Sequence, residues 1–231
     1  MMHLLRLECK KYKIHWTLLW SALLITGCIL FITVSLLDSA YDPAQTKDSF
    51  DSTFKVIGLL LSFTFLIYSS ILTSKIIIGE YNNKTINILF TYPVNRRLLI
   101  LGKLLIVMAI TSISVAIGYV CCCSYLYIVD KQWNLLEESF QAAYIAEWMR
   151  SAAVSTIVCA ILSVWPFLIG MMKKSVPATI VSSLLVVIIR QILITSGNDI
   201  RTESLAQLII MMLLTGICTW FTFQKRVDRI A

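Results

Sequence analysis

The sequence predicts an all-α polytopic membrane protein with six transmembrane helices and both termini in the cytoplasm, forming a single transmembrane domain over residues 1–231. Three observations predict it. Composition is 58% hydrophobic and 14% charged, with a mean hydropathy of +0.81, well beyond a soluble domain. Apolar runs recur near residues 16–37, 54–78, 98–129, 151–172, 177–189 and 204–223, to be set against the roughly 20 residues that cross a bilayer. The basic residues also fall mainly on one side of those runs. Arg6, Lys10, Lys11, Lys13, Lys75, Lys84, Arg96, Arg97, Lys103, Lys173, Lys174, Lys225, Arg226 and Arg229, fourteen in all, lie on the inner side, against six on the outer side, Lys47, Lys55, Lys131, Arg150, Arg190 and Arg201. That asymmetry follows the positive-inside rule, and it accounts for the net charge of +7 without a nucleic-acid partner.

Residues 1–15 are amphipathic and basic, with Leu4, Leu5 and Leu7 beside Arg6, Lys10, Lys11 and Lys13, a pattern suited to a helix lying in the headgroup plane. A secretory signal is the competing reading. The apolar run after Trp16 is longer than the usual 7–15 residues, and no small-residue cleavage site follows, so the run reads as a retained first span.

An acidic loop with Asp38, Asp42, Asp48 and Asp51 leads to the second span, where Lys55 and Lys75 sit near the ends and can snorkel. The third run, from Leu98 to about Val129, exceeds one crossing and predicts tilt or projection beyond the lipid. In Asp130–Arg150, Leu136, Phe140, Tyr144 and Trp148 recur every four residues opposite Glu137, Glu138, Gln141 and Glu147. This pattern predicts an external interfacial helix with its aromatics at headgroup level.

The fourth span contains Pro166, which should kink it or end its regular hydrogen bonding. The fifth meets Arg190, a costly charge in mid-membrane. The span is therefore expected to end near Ile189, with Arg190 to Glu203 as an external or half-inserted segment. Small residues (Ser112, Ser114, Ala116 and Gly118 in the third span; Ala152, Ala153 and Ala160 in the fourth) offer packing faces. The seven cysteines lie mostly inside apolar runs, against a disulfide framework and in favour of small packing side chains.

Between spans two and three lies Gly79–Lys103, GEYNNKTINILFTYPVNRRLLILGK. Asn82 and Asn83 can cap a helix that Pro93 would stop about three turns later. Ile86, Leu89 and Phe90 share one side of it, with Asn83, Asn87 and Thr91 on the other. It reads as a short helix at the inner membrane surface, offered to a cytosolic partner, or as a plain surface helix covering spans two and three.

Chemistry of its own is missing. The two histidines, His3 and His15, cannot form an HExxH metal site, the phosphate-loop spacing GxxxxGK fails, and no GxSxG nucleophile turn occurs. Acids deep inside spans, expected of an ion-coupled carrier, are lacking. No catalytic residue and no metal site is predicted. Uphill transport would need energy from another chain.

These features resemble an ABC-2-type ABC transporter permease, in particular the small permeases linked to bacitracin and lantibiotic resistance or peptide export. The resemblance covers the lead-in with Leu4, Leu5, Glu8 and Lys11, the six spans, and the series Glu80, Thr85, Leu89, Pro93, Arg96 or Arg97, and Gly102-Lys103, similar to the family's E…T…L…P.sR…gK run. The last external loop is too short for the re-entrant hairpin of larger lipid and polysaccharide exporters, which counts against a polysaccharide.

The resemblance implies that residues 79–97 couple the membrane domain to cytosolic ABC ATPase subunits. The Asn83–Thr91 helix would dock in an ATPase groove. Ile86, Leu89 and Phe90 would pack against the membrane domain or that groove, and Lys84 and Asn87 would meet polar partner atoms. Glu80 would pair with Arg96 or Arg97 or cap a helix, or stand as a solvated boundary acid. The N-terminal helix would touch the ATPase or anchor in lipid.

It further implies a second permease chain, identical or different, in the lipid of the bacterial cell membrane. The ATP and magnesium belong to the ATPase, with no cofactor in this chain. The expected cargo is an amphipathic molecule or antimicrobial peptide, along a path lined by Trp20, Phe63, Phe65 and Tyr68. A membrane scaffold or sensor subunit, or an exporter of a lipid-linked substrate, remains an alternative.

Overall fold

A computed structural model describes residues 14–41, 50–79, 96–133, 142–173, 175–195, 212–217 and 219. All regular structure among the described residues is helical: α1 (Ile14–Tyr41), α2 (Phe50–Thr73) continued by a π-helical segment (Ser74–Ile78), α3 (Arg96–Trp133), α4 (Ala142–Leu162), α5 (Trp165–Lys173) and α6 (Val176–Thr195). Residues 212–217 are also helical.

Among the described residues, four stretches are long and apolar enough to cross a membrane: Trp16–Asp38, Thr53–Ile78, Leu99–Gln132 and Trp148–Met172. The first three match the expected spans closely. Val176–Gln191 is a shorter apolar helix, and most of the expected sixth span, like the N-terminal helix, lies outside the described residues.

The helices bundle around α2, which packs against α1, α3, α4, α5 and α6. The core runs through Ile25, Cys28 and Ile32 of α1, Ile57, Leu61 and Phe65 of α2, Val107, Val115 and Cys122 of α3, and Cys159 of α4. Helices in lipid gain little from apolar burial and depend on close packing. Gly118 shows how close: a β-carbon there would stand 3.0 Å from Leu61 Cδ2 and 3.3 Å from Phe65 Cε2. Ser114 beside it is buried, whereas Ala116 faces outward, so part of the expected small-residue face is used.

Several hydroxyls inside the spans are satisfied by their own helices. Thr26 donates to Ala22 O and Leu23 O, Thr111 to Val107 O, and Ser182 to Thr179 O. Such back-bonding lets polar residues sit in lipid at low cost. Outward, α1 shows Leu19, Leu23, Leu30, Phe31 and Val34, and α6 shows Val181, Leu185, Ile188 and Ile189, apolar belts that suit hydrocarbon rather than water.

Pro166 acts as expected. The fourth span breaks at Ser163–Val164, and Pro166 sits in the first turn of α5, where its missing N–H leaves the ladder to resume from Phe167 N to Val164 O at 3.1 Å.

Two expectations need correction. The interfacial helix over Asp130–Arg150 is not a separate element where it is described: α3 continues to Trp133, and α4 runs unbroken from Ala142 through Arg150 into the span. Trp148 turns inward, its ring 6.3 Å from that of Phe54 and 6.4 Å from that of Tyr119. The fifth helix does not end near Ile189. It continues through Arg190 to Thr195, with Arg190 half-buried in the bundle.

Candidate functional site

Of the expected coupling residues, Glu80, Asn83, Lys84, Thr85, Ile86, Asn87, Leu89, Phe90 and Pro93 lie outside the described residues. Arg96 and Arg97 open α3, their side chains likewise undescribed. The structure does define what holds both ends of that segment.

On the entering side, α2 does not stop regularly. Over Ser74–Ile78 it widens into a π-helix, closed by the Gly79 N–H donating to Ser74 O. Ser74, Ile76, Ile77 and Ile78 are buried and Lys75 alone is exposed. A π turn is a costly local state, found mostly where tertiary contacts impose it. Here those contacts come from α3, α5 and α6. Ile78 meets Gly170 of α5, and Gly170 also abuts Thr179 of α6, whose hydroxyl donates to Ser175 O at 3.0 Å. No signal in the sequence separates these isoleucines from an ordinary apolar helix.

On the leaving side, Leu99, Ile100, Lys103 and Leu104 of α3 are buried. Lys103 is only 2% exposed and engages other groups of the protein. A lysine expected at the inner boundary is thus part of the packed joint. The helices on either side of residues 80–95 are packed into the bundle close to that segment.

Among the described residues no group of three or more histidine, cysteine or acidic side chains could hold a metal ion, and Cys28, Cys121, Cys122, Cys123 and Cys159 are free thiols.

The four aromatics expected to line a path divide in two. Phe65 and Tyr68 are buried in the core with their rings edge-on at 6.3 Å. The Tyr68 hydroxyl donates to Thr17 O at 2.6 Å, joining α2 to α1. Trp20 and Phe63 are exposed on α1 and α2.

The family model described as ABC-2 family transporter protein matches residues 4–189, taking in α1 to α5, the larger part of α6 up to Ile189, and the segment at 80–95. The chain belongs to the ABC-2 transporter family. It is similar to the uncharacterized protein YcbO of Bacillus subtilis (strain 168), with 29% identity over 191 residues that cover 81% of this chain and 82% of YcbO. Membership makes the chain a membrane-embedded permease subunit of an ABC transporter and implies a cytosolic ABC ATPase as its partner. The π-helical end of α2 and the buried start of α3 flank residues 80–95 of this ABC-2 permease.

Proposed function

We propose that this permease is one half of an ABC exporter, with six spans and cytoplasmic termini, that moves an amphipathic or peptide substrate on ATP hydrolysed by a separate subunit. ATP and magnesium are held by that subunit, and this chain performs no catalysis. Residues 79–97 form the coupling element: Leu89 and Phe90 enter the ATPase, and Glu80, Thr85, Pro93, Arg96 and Arg97 shape and hold the segment. The observation that carries the reading is the packed joint at both ends of residues 80–95, Ile78 against Gly170 on one side and buried Lys103 on the other. Closure of two ATPase subunits can move a helix bundle only through an element rigidly fixed to it, and a swing at either end would dissipate the motion.

A second permease chain completes the pathway, and the exposed apolar faces of α1 and α6 face that chain or lipid of the bacterial cytoplasmic membrane. The apolar character of the spans favours amphipathic peptides, as in antimicrobial peptide export or immunity, over sugars and ions. An epitope inserted at Asn87 tests the orientation. Antibody should reach it only after the cells are permeabilised, and labelling of intact cells would refute the cytoplasmic placement.

A further inference from the structure

We propose that the end of the bundle remote from residues 80–95 contains a binding site for a phosphate-bearing anionic group, formed by Arg190 of α6, Tyr119 of α3 and Trp148 of α4. The location follows from the chain's course. α2 runs toward residues 80–95, so Phe54, Gly58 and Ser62 are at its far end. Tyr119 lies well past the middle of α3, Trp148 near the start of α4, and Arg190 near the end of α6, all at that same far end.

The groups converge. Val186 of α6 packs against Leu66 of α2 and Leu162 of α4, and one turn further Arg190 comes within electrostatic reach of Tyr119 and Cys159. The Tyr119 and Trp148 rings meet edge-on at 6.4 Å. Gly58 admits the tyrosine hydroxyl: a β-carbon there would stand 3.0 Å from Tyr119 Oη.

The polar atoms are left over. Tyr119 is only 3% exposed, and its Oη and Trp148 Nε1 are buried without a hydrogen-bond partner. Ser155 stands close enough to Oη to interact with it, and the Ser62 hydroxyl donates to Gly58 O at 2.5 Å. Buried donors are nearly always satisfied, and an exception calls for a ligand, ion or water.

The donor set selects the ligand. A guanidinium and an indole N–H donate only, and a phenol can donate, so the site asks for an acceptor rich in lone pairs and negative charge. A guanidinium matches the two oxygens of a phosphate in a planar fork. A cation placed inside an apolar helix is costly unless it serves such a purpose. Phosphate can arrive as the headgroup of an anionic phospholipid or as the free ion, and the chemistry of recognition is the same.

This inference rests on the membrane placement of the bundle and not on coupling to an ATPase, so its failure would leave the export reading standing. The test uses the full-length protein purified in neutral detergent. Retention of phosphatidylglycerol and of phosphatidylcholine from mixed micelles is measured by native mass spectrometry, with inorganic phosphate as competitor. Wild type should retain phosphatidylglycerol preferentially. Arg190→Gln should weaken it about tenfold or more, as loss of a charge-assisted bond implies. Tyr119→Phe, which removes one oxygen and preserves packing, should weaken it severalfold at unchanged Tm, and it serves where Arg190→Gln fails to fold. Displacement by millimolar phosphate would support the site and assign it to the free ion, while resistance would assign it to lipid. Equal retention of both lipids, unaltered by either substitution and by phosphate, would overturn the proposal.

Discussion

Gly170 of α5 and Ile78 at the end of the π segment approach so closely that a β-carbon on Gly170 would lie 2.6 Å from Ile78 Cδ1, and 2.5 Å from Thr179 Oγ1. Neither neighbour is free to withdraw. Ile78 is 1% exposed, and the Thr179 hydroxyl is held by Ser175 O. This contact ties the exit of α2 to the α5–α6 corner, which makes the joint above residues 80–95 a single packed unit.

Gly170→Ala should therefore destabilise the permease by about 1–3 kcal/mol, the usual cost of forcing a methyl group into a filled site. The check is the Tm of the detergent-solubilised protein. Ile78→Val removes the Cδ1 that obstructs the new methyl, so the double variant should lose less than the sum of the two single losses.

Lys103 and Lys75 are a contrasting pair. Lys103 is buried and engaged, and Lys75 is exposed. Lys103→Met should cost about 1.5–3 kcal/mol, as expected where a charged donor is taken from a buried bond, while Lys75→Met should stay within about 0.5 kcal/mol. Comparing the two variants by thermal denaturation tests whether the inner boundary of α3 is packed as described.

Tyr68→Phe removes the hydroxyl that joins α2 to Thr17 O of α1 and leaves the edge-on contact with Phe65 intact. The expected loss is about 0.6 kcal/mol, the average for hydrogen bonds between helices in lipid. A larger drop in Tm would mean that this bond fixes the position of α1.

The first three spans were legible because each depends on an apolar run long enough to cross a bilayer, a property of local sequence alone. Pro166 was legible for the same kind of reason, since a missing N–H breaks a helix wherever it falls. The misread places all turn on tertiary contact. Arg190 reads as a helix end while only the cost of a mid-membrane charge is weighed, yet α6 runs on through it with the side chain half-buried. Trp148 reads as a headgroup anchor by its four-residue period, yet nothing breaks the helix between Ala142 and Leu162, and Phe54 and Tyr119 draw the indole inward. The π turn at Ser74–Ile78 depends on Gly170 and Thr179, some ninety residues or more further along the chain. The residues expected to couple, Glu80–Pro93, lie outside the described residues.

The most direct test of the export reading is ATP turnover by the purified permease together with a cognate ABC ATPase, measured for wild type and for Leu89→Asp and Phe90→Asp. The two proteins should associate, with turnover dependent on both, and either aspartate should abolish association and the stimulated turnover while leaving the permease folded. Unchanged association and turnover in both variants, or cargo pumped by the permease with no ATPase present, would contradict it.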